Sequence, residues 1–302
     1  MANKVIVTGA DGFIGRVVCE MLKVPNECRY DIANDPWGED VTKEDVINEI
    51  ALGAHTIVHL AATTGIAECE KEPQKTRRLN VESAIELGRE AKRLGASRFI
   101  FASSSAVYGE ASRYIIDESH PLTPRSLYGK TKLEAEKGLL ALADENFRVV
   151  CLRKSNVYGQ GLSWKGGTVL DNFIDKYLKR EPMKLSGSGM QRRDFVHVMD
   201  VARIYSQIAI RPQVRSGAYN VGGPETVSIR GLAEMVNKVG ESVLSYRVPI
   251  ETMDAPEGVG WHDFVYECSK ARMEFGHVPG FTLDYYVRER CMQRIREGAK
   301  CG

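Results

Sequence analysis

Through the first half of the chain, short runs rich in β-branched residues alternate with longer stretches whose apolar residues recur every three or four positions. The short runs predict strands at residues 4–8, 28–32, 56–60, 99–102 and 148–152. The longer stretches predict helices at 13–23, 43–50, 76–94 and 127–144. Strand and helix in strict alternation is the pattern of βαβ units, so the fold class is α/β with a doubly wound parallel sheet. After Tyr158-Gly159 the pattern loosens. Gly187-Ser188-Gly189 precedes a short strand and a helix at 199–210, a segment predicted to return to the sheet. From Gly223 onward, helical patterns at 228–239, 269–275 and 283–297 are interrupted by Pro249, Pro256 and Pro279 and read as a smaller mixed C-terminal lobe. The expected division is 1–159 with 194–222 as one domain, and 160–193 with 223–302 as the other.

Composition narrows what such a chain can do. It has 302 residues, with 41 basic and 40 acidic side chains and a net charge of +1. The charges are interspersed, without the basic stripe that tracks a phosphate backbone, so nucleic acid is excluded as a partner. No apolar run approaches the roughly 20 residues that span a bilayer, and the first apolar run is too short for a signal peptide. A soluble, cytoplasmic protein is expected. Its seven cysteines are odd in number and scattered, without the paired spacing of a zinc site, so they are expected to be reduced thiols and no metal is expected. Cys19 and Cys151 fall in apolar helix and strand patterns and are expected to be buried.

Thr8-Gly9-Ala10-Asp11-Gly12-Phe13-Ile14-Gly15 joins the first strand to the first helix. One glycine makes the tight turn, one admits a pyrophosphate to the backbone, and one lets helix and strand pack closely, while the helix N-terminus offers amide donors. Asp31 ends the second strand 22 residues beyond Gly9, where a carboxylate accepts hydrogen bonds from an adenosine ribose. The pattern is that of a Rossmann domain binding NAD. Arg16 and Arg29 nearby leave NADP as the alternative.

Tyr128-Gly129-Lys130-Thr131-Lys132 opens a helix, and its spacing sets the Tyr128 phenol and the Lys132 ammonium on one face. An ammonium beside a phenol favours the phenolate, so the pair can serve as a base near neutral pH. Ser103-Ser104-Ser105 sits at the end of the fourth strand, facing the crevice where ligands of doubly wound sheets bind. His59 and His197 lie in apolar, strand-like runs and read as packed, hydrogen-bonded histidines.

Taken together, these motifs resemble the extended short-chain dehydrogenases, the NAD-dependent epimerase/dehydratase family that includes UDP-glucose 4-epimerases. Further stretches match in order: Val58-His59-Leu60-Ala61-Ala62, Leu79-Asn80-Val81, Leu152-Arg153-Lys154-Ser155-Asn156-Val157-Tyr158-Gly159, Arg193-Asp194-Phe195-Val196-His197-Val198 and Tyr219-Asn220-Val221-Gly222. The resemblance implies that Ser104 is the catalytic hydroxyl, that Tyr128 is the acid/base, and that Lys132 orients it and holds the nicotinamide ribose. It also implies cofactor contacts from Gly9, Gly12, Phe13, Ile14, Gly15, Asp31, Asp40, Val41, Leu60, Ala61, Ala62, Asn80, Ala102, Ser155 and Val157. Ser104, Ser105, Tyr128, Asn156 and Arg193 would meet a nucleotide-sugar substrate. The related dehydratases carry an acidic pair directly after the catalytic hydroxyl, and the decarboxylases a glutamate; this chain has Ser105 and Ala106 there. The implied reaction is NAD-dependent epimerisation of a nucleotide sugar, most simply at C4 of a UDP-sugar, through a keto sugar. That would make the chain an isomerase of carbohydrate metabolism. The alternatives are a reductase or dehydrogenase of the same family and, in another class, a non-catalytic NAD-binding regulatory protein. Family members commonly grip the diphosphate with an arginine just before a Ser-Lys-Ala-Arg segment, but Asp254–Ser269 contains neither arginine nor lysine. Lys165, Arg192 or Arg247 would have to replace it. A homodimer through the 76–94 and 127–144 helices is also implied.

Overall fold

A computed structural model describes residues 4–31, 41–160, 168–254 and 264–298 of the chain. The elements begin with β1 (Val5–Thr8), α1 (Phe13–Leu22), β2 (Arg29–Tyr30), α2 (Glu44–Ala51), β3 (Thr56–His59), α3 (Ile66–Lys71) and α4 (Pro73–Arg77). A π-helical turn at Arg78–Glu82 leads into α5 (Ser83–Arg93), β4 (Arg98–Ser104), β5 (Ile115–Ile116), α6 (Leu127–Leu140), β6 (Arg148–Lys154) and β7 (Asn156–Tyr158). There follow α7 (Val169–Leu178), β8 (Met183–Ser186), β9 (Arg192–His197), α8 (Val198–Ile210), β10 (Gly217–Val221) and β11 (Thr226–Ser228). The last are α9 (Ile229–Leu244), β12 (Ile250–Met253), β13 (Val265–Tyr266), α10 (Ser269–Phe275) and α11 (Leu283–Gly298).

Six strands form one parallel sheet in the order β10-β6-β4-β3-β1-β2. From β1 the chain first winds outward to β2 and then back through β3 and β4, so the order reverses beside β1, and the carboxyl ends of the strands open a crevice at that point. The sheet's strands carry near-continuous apolar runs because helices cover both faces. Ile6, Val7, Ile57, Val58, Phe99, Ile100, Phe101, Val149 and Val150 are completely buried. α1 packs on α8, while α2, α5 and α6 pack in succession. A second core gathers Leu170, Phe173, Ile174, Leu232, Val236, Leu283 and Val287 from α7, α9 and α11 over the small β8–β12 sheet.

Three expectations are corrected. The periodic run 76–94 is not one helix: a π-helical turn at Arg78–Glu82 separates α4 from α5. Such an insertion re-aims one residue, here Asn80, inward without disturbing the spacing on either side. The strand after Gly189 does not rejoin the large sheet; β9 pairs with β7 and β11, and the returning strand is β10 against β6. α7 was not expected, although Thr168 and Asp171 form a reciprocal capping box at its start. Ile32, the end of the second expected strand, lies outside the described residues.

Candidate active site

The crevice begins at β1. Gly9 turns the chain with φ +69°, a conformation that costs glycine least, and its missing β-carbon would stand 2.7 Å from the Ala61 amide nitrogen. A β-carbon at Gly15 would collide with the Gly9 carbonyl oxygen, so α1 reaches the turn only because position 15 is bare. No side chain caps α1, and Gly12 is its N-cap. The first amides of α1 therefore face an open crevice at the positive end of the helix. The cavity there is about 600 Å³, and Gly9, Gly12, Phe13, Ile14 and Gly15 line its near wall. Asp31 and Val41 line one end, and Asp31 accepts a hydrogen bond from the Asp11 amide at 2.9 Å. Leu60, Ala61, Ala62 and Ala102 form the floor, and Ser155 and Val157 the far end. Arg16 donates to the Asp11 carbonyl and Arg29 to the Val24 carbonyl, and neither lines the cavity.

Asp40 lies outside the described residues. Asn80 does not reach the cavity surface: it is buried and brackets Thr63, accepting from its amide and donating to its carbonyl, both at 2.9 Å, while also donating to Thr131. Its place is behind the 60–64 loop, holding that loop to α6. Ser103 lines the crevice, as its place at the end of the fourth strand implies, and Thr64, Leu79 and Lys154 line it without having been expected there.

At the far end the crevice meets a second cavity of about 620 Å³. Thr64, Ser104, Tyr128 and Ser155 line both. Ser126 caps α6 by accepting from the Gly129 amide at 3.1 Å, which sets Tyr128 in the first turn and Lys132 one turn deeper. Ser104 accepts from the Ala106 amide at 3.2 Å and hydrogen-bonds the Tyr128 phenol. The Lys132 ammonium stands 4.9 Å from the centre of the Phe101 ring and 5.9 Å from that of Tyr128. Burial dominates both titrations. It pushes Tyr128 up to about 12 against the opposing Ser104 hydrogen bond, and draws Lys132 down to about 8.

Beneath this pair α6 is fixed to the sheet by charge. Glu136 and Arg153, both fully buried, form an ion pair; Ser103 donates to Glu136 at 2.8 Å, and Arg153 to the Tyr108 phenol oxygen at 2.9 Å. Tyr108 and Tyr266 both donate to the Asn220 side-chain carbonyl, at 2.6 and 3.0 Å, so β4, α6, β6, β10 and β13 share one network.

Ser105, Asn156 and Arg193 line the second cavity. Asn156 donates to the Asp194 carbonyl at 2.9 Å, and exposed Arg193 donates to the Arg192 carbonyl. The carboxylates described there are Glu110, paired with Arg125, and buried Asp194, which accepts from the Gly223 amide and which burial raises to about 6. Arg125 was not among the expected residues, though it stands three places before Tyr128. Of the arginines considered as replacements for a diphosphate grip, Arg247 pairs with Glu241 and Arg192 bonds the Thr226 carbonyl; neither lines the cavity, and Lys165 lies outside the described residues. His59 is buried with Nδ1 2.8 Å from the Thr8 hydroxyl and is held down to about 3 by burial. His197 stacks on Phe281 at 4.3 Å and caps α8, held down to about 4. Six cysteines are unpaired, with Cys19 and Cys151 buried. Among the described residues there is no cluster able to hold a metal and no helix long and apolar enough to cross a membrane.

Residues 5–222 match the NAD dependent epimerase/dehydratase family. UDP-glucuronic acid decarboxylase 1 of Arabidopsis thaliana is 28% identical over 304 residues, covering 93% of this chain and 67% of the relative. Among solved structures, MoeE5 in complex with UDP-glucuronic acid and NAD superposes with a TM-score of 0.79 at 26% identity, covering 98% of this chain and 99% of that one. The UDP-N-acetylglucosamine 4-epimerase of Methanobrevibacter ruminantium M1 superposes with a TM-score of 0.82 at 26% identity, covering 98% and 100%.

Proposed function

The chain belongs to the NAD dependent epimerase/dehydratase family, and from that premise we propose that it is a nucleotide-sugar epimerase, inverting a hydroxyl-bearing carbon, C4 of a UDP-sugar in the simplest case. The observation that carries this reading is the junction of two cavities at Ser104 and Tyr128, one lined by an uncapped helix N-terminus and the Asp31 carboxylate, the other with Ser105 and Ala106 directly after the catalytic hydroxyl. The crevice fits a dinucleotide: bare glycines at the turn for the diphosphate, Asp31 for the adenosine ribose, Lys132 for the second ribose. Bound there, NAD supplies an acceptor and then a donor of hydride.

The protein's own part is proton movement and orientation. Tyr128 exchanges the proton of the sugar hydroxyl, Ser104 hydrogen-bonds the same oxygen, and Lys132 favours the phenolate once cofactor and substrate exclude water. Ser105, Asn156 and Arg193 receive the nucleotide-sugar in the second cavity. We assign cofactor binding to 1–159 with 194–222, the substrate lobe to 160–193 with 223–302, and a homodimer to the outward faces of α5 and α6 in a cytoplasmic enzyme. Eliminating water or losing carbon dioxide calls for a further acid/base carboxylate near Tyr128; Ser105 and Ala106 occupy that place. Simple inversion needs none.

The test is a screen of UDP-, GDP-, CDP- and dTDP-hexoses and of UDP-glucuronic acid, without added cofactor, read by NMR. An epimer accumulating to a fixed ratio without net NADH supports the reading. Formation of a UDP-pentose with loss of carbon dioxide, or turnover only with stoichiometric NADH or NADPH, replaces it with decarboxylation or reduction.

A further inference from the structure

Lys154 ends β6 beside Ser104 of β4 and lines the cofactor crevice, yet no step above uses it. Its side chain is buried, its amine donates to the Ser103 carbonyl at 2.7 Å, and it stands 3.3 Å from the Tyr205 hydroxyl of α8. Of the other buried cations, Arg153 has Glu136 and Arg98 caps the carbonyls at the end of α8, whereas Lys132 lies over the Phe101 ring. Lys154 has a carbonyl and the Tyr205 phenol, whose ring centre is 5.9 Å away, and among the described residues no carboxylate reaches it. The titratable groups around it are Lys132 and Tyr128 of α6, Tyr205 of α8, Cys151 of its own strand and His59 of β3 beside Lys132. Burial, and then the charge of Lys132, hold its amine well below the usual lysine range, while Lys132 stands at about 8. Burial and the neighbouring ammonium of Lys132 thus both favour the neutral form of the Lys154 amine.

We propose that Lys154 is a charge-compensating amine for the nicotinamide, taking up one proton when the ring loses its positive charge on accepting hydride and releasing it when hydride returns. Oxidising a sugar carbinol sends the carbon's hydrogen and two electrons to the ring, while the hydroxyl proton passes to Tyr128 and Tyr128 gives up its own proton toward Lys154. With Tyr128 a phenol before and after, one proton gained at Lys154 leaves the charge inside the closed crevice unchanged. The ring's cationic form opposes protonation of Lys154, and its neutral form permits it. By linkage, the neutral form must then bind more tightly, relative to the cationic one, as pH falls. This inference rests on the cofactor reading above and on no particular sugar.

The experiment is binding of NAD and of NADH to the wild-type chain, followed by nicotinamide fluorescence and by competition, from about pH 8 downward. The ratio of NADH affinity to NAD affinity rises as pH falls, by up to about tenfold per pH unit for one linked proton. In Lys154→Gln, which keeps a donor for the Ser103 carbonyl, the ratio is independent of pH in that range. In Lys154→Arg, which stays charged, it is also flat and favours NADH throughout. A flat ratio in the wild type, or an unchanged slope in Lys154→Gln, overturns the proposal and leaves the cofactor reading intact. Failure of the wild type to bind either form overturns both.

Discussion

Tyr128 is a partly buried phenol beside Ser104, with the Lys132 ammonium one helical turn away. Replacing it with Phe keeps the crevice's shape and removes the phenol proposed to exchange the hydroxyl proton at the junction of the two cavities. Turnover is expected to fall by at least about 10²–10⁴-fold while NAD affinity stays within a few-fold of wild type, read by product NMR and by NADH fluorescence. Equal turnover in Tyr128→Phe would remove Tyr128 from the chemistry. Asp194 makes a pH prediction. Its folded value is raised from 3.8 to about 6 by burial, so the folded protein keeps a proton that the unfolded chain releases between those values. Stability from this group is therefore fully present below about pH 4 and is lost as pH rises through about 6. Asp194→Asn should flatten the dependence of Tm on pH across that window; an unchanged slope would assign it to other groups.

At the scale of elements, α6 carries Tyr128 and Lys132 but owes its position to residues farther along. Glu136 lies one turn beyond Lys132 and is clamped by Arg153 of β6. Arg153→Met strands a buried carboxylate, and a loss of about 3–5 kcal/mol is expected in denaturant unfolding. The double variant Arg153→Met/Glu136→Met should recover much of that loss, and a double variant as unstable as the sum of the singles would deny the pairing. The start of α6 was legible because Tyr128 and Lys132 sit at a fixed offset, whereas the clamp was not, since it joins positions 17 residues apart on different elements. The π-helical turn at Arg78–Glu82 escaped notice for a related reason: an inserted residue leaves the apolar spacing of α4 and α5 intact on each side. Strand β9 was read into the wrong sheet because an apolar run shows that a strand is buried but not which neighbour buries it.

Across the whole molecule, the glycine turn and the alternating strands and helices could be read from local sequence, because each depends on one strand end, while most of the crevice lining was implied by the family resemblance. The substrate cavity could not be read locally. It is assembled from the β4–α6 loops, β7, β9 and the approach to β13, so Arg125 came to light only when those pieces were brought together. That assembly makes the central claim a claim about geometry: a hydride leaves a sugar carbon and returns to the same carbon without exchanging with water. A UDP-hexose deuterated at C4, incubated with the purified chain and no added cofactor, tests it most directly. The account predicts that the recovered sugar has inverted configuration at C4 with deuterium still on that carbon. Deuterium lost to solvent, or carried away on released cofactor with no inverted sugar formed, would contradict it.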